Sequence, residues 1–360
     1  SALPGRFIPM NDRDCRYGRL GGDVFAFCLP YDKLSTERLE NMANCHFAEL
    51  GDTYELTIRF GVCIIDDHDL PADVISDRAV LALRTTKGSY TRHCAFYNNA
   101  LRDKILGEQD IIGSMERAIS NGEFEVWFQP IYDAKTERPV MAEALARWNR
   151  RGRNFLMPAS FIPLFEQNGF ITRLDAFVWD NVCRKLAELN EEGAETIPIS
   201  VNMSRLDFYA GSVCDDLSRL TGKYNVEPRL LRLEVTESTY ADNPTRIGEA
   251  VKDLHRRGFT LMVDDFGSGL STLSMVKEAP MDMLKIDKKL IDGIESSLRS
   301  RIVVESTVHM AAAIGMKTIA EGVETAGQVE TLRKMNCDMV QGFYYAKPMP
   351  WQEFKRLLTE

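Results

Sequence analysis

From Glu123 to the C-terminus the sequence alternates short apolar runs with amphipathic stretches, and this rhythm restricts the possible folds more than any other feature. Strand-like runs fall at Val126–Phe128, Val140–Ala144, Ile197–Val201, Leu231–Val235, Leu261–Val263, Met283–Ile286, Thr318–Ala320 and Met339–Tyr345. Between them, Val178, Val182, Leu186 and Leu189 share one helical face, as do Ile247, Val251 and Leu254 before Gly258, and Val303, Met310 and Ile314 before Gly315. Eight strands alternating with helices over residues 123–360 predict an α/β fold, a (β/α)8 TIM-like barrel.

Barrels of this kind carry their chemistry at the C-terminal ends of the strands. Here those ends bear Glu143, Asn202, Glu234, Asp264 with Asp265, Lys285 with Asp287, Glu321 and Gln341. The densest point is Leu261–Gly269, where a buried-strand pattern runs into Asp264-Asp265 and a glycine-rich turn. Taken singly, each acid reads as a cap or a solvated surface group. Together, so many carboxylates on one rim would repel one another without cations between them. The donors are carboxylate and amide oxygens, and none of the five His stands at these positions, which favours Mg²⁺ or Mn²⁺ over zinc.

Composition bounds the function. A formal charge of −9 argues against binding DNA or RNA polymers, which requires a basic surface. The 8 Cys are scattered with no Cys-x-x-Cys pair, as expected of reduced thiols in a cytoplasmic protein rather than of a zinc site or disulfide framework. No run approaches the length of a membrane span, although a longer parent protein could carry a sensor or membrane segment upstream.

Residues 1–102 read as a smaller α+β domain, with a linking helix over 103–122 marked by Ile105, Ile111, Ile112, Met115 and Ile119. Tyr17–Pro30 predicts a hairpin around Gly21-Gly22-Asp23; Leu39, Met42, Phe47 and Leu50 predict a helix, Tyr54–Ile65 a strand, and Ala72–Arg84 a second helix. Arg19-Leu20-Gly21-Gly22-Asp23-Val24-Phe25 resembles the signature of the GGDEF domain of diguanylate cyclases. Val24 replaces that motif's second acid, and the family's first strand and helix have no room before Tyr17. The resemblance therefore implies an incomplete, degenerate domain without synthetic activity.

In the barrel, Glu143-Ala144-Leu145-Ala146-Arg147-Trp148 resembles the signature of EAL-domain cyclic di-GMP phosphodiesterases. The likeness continues through Gln129-Pro130, Val201-Asn202-Met203-Ser204, Glu234-Val235-Thr236-Glu237, Asp264-Asp265-Phe266-Gly267-Ser268-Gly269, Lys285-Ile286-Asp287, Glu321-Gly322-Val323-Glu324 and Gln341-Gly342-Phe343. The resemblance implies hydrolysis of cyclic di-GMP to linear pGpG with two Mg²⁺ or Mn²⁺ ions. Glu143, Asn202, Glu234 and Asp264 would hold one ion, and Asp264, Asp265 and Glu321 the other. Two ions about 4 Å apart can acidify and aim a water.

By the same resemblance, Lys285 would orient or deprotonate that water, with Glu143, Asp265 and Glu321 beside it. Gln129, Leu145, Arg147, Asp287, Glu324, Gln341 and Phe343 would contact the substrate, and Glu237, Thr236 and Ser268 would brace the ligands. Leu270-Ser271-Thr272 and Met275-Val276 depart from the family pattern in a region that commonly forms a homodimer face. Two other readings stand against this one: a receptor that binds cyclic di-GMP without cleaving it, and an unrelated barrel lyase using the carboxylates and Lys285. Retention of every expected ligand opposes the first, and the ordered string of motifs opposes the second.

Overall fold

A computed structural model describes residues 15–33, 36–47, 54–87, 93–150, 155–267 and 272–359. The chain forms two compact units, Ser1–Ile111 and Ile112–Glu360, and the division falls inside a helix spanning Asn99–Ser120.

In the first unit, β1 (Arg16–Gly21) and β2 (Val24–Cys28) form the expected antiparallel hairpin, turned by Gly22 at φ 55°. Helix α1 (Thr36–Ala43) is shorter than predicted, because Asn44–Phe47 becomes strand β3 and pairs with β4 (Tyr54–Thr57). The strand expected to run unbroken from Tyr54 to Ile65 is split in two. Its second half, β5 (Phe60–Val62), pairs in parallel with β6 (Cys94–Phe96), a strand the periodicity did not reveal. Helix α2 (Ala72–Arg84) lies where predicted and is followed by α3 (Asn99–Ser120).

The second unit closes a barrel from β7 (Phe124–Asp133), β8 (Pro139–Asn149), β10 (Ile199–Asn202), β11 (Leu231–Thr236), β12 (Thr260–Phe266), β13 (Met283–Ile286), β14 (Lys317–Ala320) and β15 (Met339–Val340). It departs from a strict (β/α)8 repeat in one respect. Strand β7 runs antiparallel to both of its barrel neighbours, β8 and β15. The cause is local: Asp133 Oδ1 accepts from the backbone N–H groups of Lys135 and Thr136, making a tight turn where a parallel connection would need a crossover helix. Short strands β9 (Phe155–Leu156) and β16 (Met349–Pro350) pair with β8 and β7. The last barrel strand ends at Val340, well short of Tyr345, because the chain turns at Gly342.

Strand alternation explains the interior. Outward-facing Val201, Leu233, Leu261, Val263, Leu284 and Ile286 join the main core with the surrounding helices. Inward-facing Ile131, Met141, Met262, Met283, Ile319 and Met339 form a separate apolar plug. On the parallel strands, the residue two positions after each plug residue stands on the same face, one layer nearer the C-terminal rim. Glu143, Asp264, Lys285, Glu321 and Gln341 are those residues.

The helices follow the predicted faces with one exception. Val178, Val182, Leu186 and Leu189 are buried on α5 (Ile171–Glu191), and Ile247, Val251 and Leu254 on α9 (Pro244–Arg256). On α12 (Leu298–Ala313), however, Val303 is exposed, as is Ile314 just beyond its end, and the helix packs through Val304, Thr307, Val308 and Ala311. Apolar residues lie all round this helix, so periodicity alone could not select its buried side.

Glycine substitutions test the packing from both directions. A Cβ on Gly342 would lie 2.0 Å from the Val323 carbonyl oxygen, so Gly342→Ala forces backbone apart. It is expected to cost about 1–3 kcal/mol in chemical denaturation. Gly113 sits exposed in α3 with nothing near its missing Cβ, so Gly113→Ala is expected to stabilise by up to about 1 kcal/mol in the same measurement.

Candidate active site

The centre of the rim is the ammonium of Lys285, on a side chain only 1% exposed. Its Nζ lies 2.7 Å from Glu321 Oε1, 2.8 Å from Glu234 Oε2, 3.0 Å from Asp264 Oδ1 and 3.3 Å from Glu143 Oε2. Four carboxylates from four strand ends thus meet at one cation. Burial alone would drive the Lys285 ammonium down, but Asp264, Glu143, Glu234 and Glu321 outweigh it and hold its pKa well above the usual lysine value.

The acids are displaced upward. Burial, then Glu143 and Asp264, raise Glu234 well above an ordinary carboxyl despite Lys285. Burial, with Asp264 and Glu143 working against Lys285, takes Glu321 to about 8. Asp265 rises to about 6 through burial and the charges of Asp264 and Asp287.

Adjacent residues in a strand ordinarily face opposite sides, so Asp264 and Asp265 need a special backbone to converge. The register between β12 and β13 shifts between Val263 and Phe266, and Asp265 takes a left-handed conformation at φ 57°. This break brings one oxygen each of Asp264, Asp265 and Glu321 within 4.8 Å of one another. The acidic loop is also tied down from behind, since the Gly267 N–H donates to Glu237 Oε1 at 2.8 Å. Gly267 itself sits at φ 97°, and a Cβ there would collide with Leu290.

Asn202 ends β10 beside Glu234, with its side chain exposed. Arg147 is buried at 6% exposure, bonded to the Ala146 carbonyl and lying over the Trp127 ring, without a carboxylate bonded to its guanidinium. Burial lowers its pKa, with Glu143 opposing. Beside Leu145, Asn202, Asp264 and Asp265 opens a cleft of about 570 Å³.

Several residues expected at the substrate are engaged within the protein. Gln341 Nε2 donates to Glu143 Oε2 at 2.7 Å and to Gln129 Oε1 at 3.2 Å, and both glutamines are buried. Gln341 thus holds the same Glu143 oxygen that faces the Lys285 ammonium, and Gln129 holds Gln341. Asp287 caps helix α11 (Lys288–Ile291) through the Lys289 N–H, and Glu324 pairs with Lys288. Thr236 caps helix α8 (Glu237–Asp242) through the Thr239 N–H. Phe343 is 58% exposed, with the Lys347 ammonium over its ring. Ser268 lies outside the described residues.

Sequence reasoning missed two residues near the rim, Asp175 and Asp207, which lie in contact and buried on α5 and on α6 (Arg205–Tyr209). The only signal in the sequence was an acid at 175 on the otherwise apolar face of α5.

A sequence description of the EAL domain matches residues 112–348, more than half of the chain, and the protein belongs to that family. Cyclic di-GMP phosphodiesterase NbdA of Pseudomonas aeruginosa is 29% identical over 345 residues, 94% of this chain and 44% of that protein. Oxygen sensor protein DosP of Escherichia coli is 31% identical over 258 residues, 72% of this chain and 32% of that protein. The chain therefore spans less than half the length of either relative. Among solved structures, the PaMucR phosphodiesterase in complex with c-di-GMP superposes with a TM-score of 0.65 at 30% identity, covering 68% of this chain and 99% of that one. The barrel is thus homologous to cyclic di-GMP phosphodiesterases.

The raised acids predict how metal-free protein responds to pH. A carboxyl whose folded pKa is raised contributes stability below its unfolded value, and that contribution is lost as pH rises through the folded value. For Glu321 the window runs from its usual value of 4.5 up to about 8. Thermal melts in chelator should therefore fall across this window, and Mn²⁺ should reverse the fall. Calorimetry at pH 7 in buffers of differing ionisation enthalpy should show proton release on Mn²⁺ binding.

Proposed function

We propose that this barrel hydrolyses cyclic di-GMP to linear pGpG in a reaction that depends on two divalent cations, Mg²⁺ or Mn²⁺. The observation that carries the reading is the convergence of Glu143, Glu234, Asp264, Asp265 and Glu321 on one rim around a single ammonium. Five ionised carboxylates against one lysine leave a formal charge of −4, which two divalent ions would offset. The residues fit such ions in a second way: Glu234 Oε1 is buried with no hydrogen-bond donor, its other oxygen being the one that meets Lys285. Glu143, Asn202, Glu234 and Asp264 would hold one ion, and Asp264, Asp265 and Glu321 the other. When bound, the pair would supply Lewis acidity to the phosphate and lower the pKa of a water.

The protein's own groups do the remainder. Lys285 offsets the acids and would orient or deprotonate the attacking water. Arg147 offers a guanidinium to a phosphate oxygen, a planar donor match that its lack of a bonded carboxylate leaves open. Leu145 and exposed Phe343 supply apolar surface to the guanines, while Gln129 and Gln341 act on Glu143 and through it on the substrate. The reaction adds one water across one phosphodiester bond, leaving a 5′-phosphate and a 3′-hydroxyl.

The first unit is proposed to be a degenerate GGDEF-like domain without synthetic activity, consistent with the alignment to NbdA running over 94% of the chain. The protein would then act in the bacterial cytoplasm to end a second-messenger signal.

Glu143→Ala should abolish turnover in an assay that separates cyclic di-GMP from pGpG. Lys285→Ala should lower kcat by at least about 100-fold while Mn²⁺ binding persists. A Glu143→Ala protein of unchanged rate would contradict the ligand assignment, and intact dinucleotide bound by the parent chain under Mn²⁺ would favour a receptor.

A further inference from the structure

Two acids outside the rim are buried against each other with no cation between them. Asp175 is 7% exposed on α5, and Asp207 is 4% exposed on α6. Asp207 is well supplied with donors, since its Oδ2 accepts the Ser204 N–H at 2.7 Å and the Ser204 hydroxyl at 2.9 Å. Asp175 is less well supplied: the Ser204 hydroxyl and N–H also favour its charge, but its Oδ2 is buried without any donor. Two buried carboxyls in contact cannot both ionise, so the pair holds a proton. The proton belongs to the acid with the poorer supply of donors, which is Asp175.

The place of the pair matters. Asn202 is the last residue of β10, and the turn after it is held at three points. The Met203 N–H donates to the Glu234 carbonyl at 3.0 Å, Ser204 is gripped by Asp207, and the Trp179 indole N–H donates to the Asn202 carbonyl at 3.2 Å. Asp175 and Trp179 stand four residues apart on α5 and therefore share a face. One helix thus clamps both sides of the turn: Trp179 holds Asn202 itself, and Asp175 holds the acid that caps Ser204. Asp175 lines the same cleft as Asn202, Asp264 and Asp265.

We infer that Asp175 is a positioning residue, which donates its carboxyl proton to Asp207 and so fixes the turn that presents Asn202 to the metal site. The inference rests on Asn202 serving as a ligand in the reaction proposed above. Its consequence is a requirement for a donor at position 175 and not for a charge.

Two substitutions of similar shape separate the alternatives. Asp175→Asn keeps an N–H donor toward Asp207, whereas Asp175→Leu fills the space without one. Mn²⁺ affinity is measured by calorimetry on the full chain, with thermal melts in chelator to establish that each variant is folded. Asp175→Leu is expected to bind Mn²⁺ about tenfold more weakly, and Asp175→Asn to stay within about twofold of the parent. With saturating Mn²⁺ and cyclic di-GMP, kcat should recover in the Asn variant and not in the Leu variant.

Parent-like Mn²⁺ affinity in Asp175→Leu overturns the inference, as does an Asn variant as weak as the Leu variant. Should Asp175→Leu not fold, the Asn variant decides: retained affinity supports the donor role, and lost affinity contradicts it. The Mn²⁺ readout does not require turnover. A parent chain that binds Mn²⁺ but leaves cyclic di-GMP intact would refute the phosphodiesterase reading while the positioning role is still measured.

Discussion

The ion cluster around Lys285 is the interaction on which the rest of the barrel mouth depends. Withdrawing one ammonium and several carboxylates from water is costly, and their mutual attraction repays it only when geometry is close and the remaining oxygens are satisfied. Here the attraction is strong, with four carboxylates between 2.7 and 3.3 Å of one nitrogen, but the charges do not balance. The acids respond by holding protons to unusually high pH. A site arranged this way has a standing preference for additional positive charge, which gives the cluster a physical reason to bind divalent cations.

The fold supplies that cluster through strand alternation. Five of the seven parallel strands contribute an apolar plug residue and, two positions on, a polar rim residue, so one barrel carries a largely dry interior and a charged mouth. The antiparallel strand β7 obeys the same rule with its order reversed: Ile131 joins the plug and Gln129, two residues earlier, reaches the rim and meets Gln341. Strands β10 and β11 are the exceptions in the interior layer, with buried Ser200 on the first and half-buried Arg232 on the second. The Arg232 guanidinium lies against the sulfurs of Met141 and Met283, two residues before Glu234.

Much of this was legible in the sequence for physical reasons. A carboxylate directly after an apolar run, as in Leu261–Asp264, is ambiguous singly, but its recurrence on successive strand-like segments let the rim be read. Features decided by local backbone geometry were not legible. The turn at Asp133 that reverses β7 depends on side-chain-to-backbone bonds, and the convergence of Asp264 with Asp265 depends on a register shift and a left-handed residue. The buried side of α12 was hidden because apolar residues surround it. The Asp175–Asp207 contact joins residues from different helices, which periodicity within one helix cannot show.

The central claim is that the cluster is built to receive divalent ions, and anomalous diffraction from crystals grown with Mn²⁺ tests it most directly. The account predicts two peaks at the rim, both bordering Asp264, one reaching Asp265 and Glu321 and the other reaching Glu143, Asn202 and Glu234. Manganese found only elsewhere on the surface, with the Lys285 ammonium still alone among its carboxylates, would contradict it.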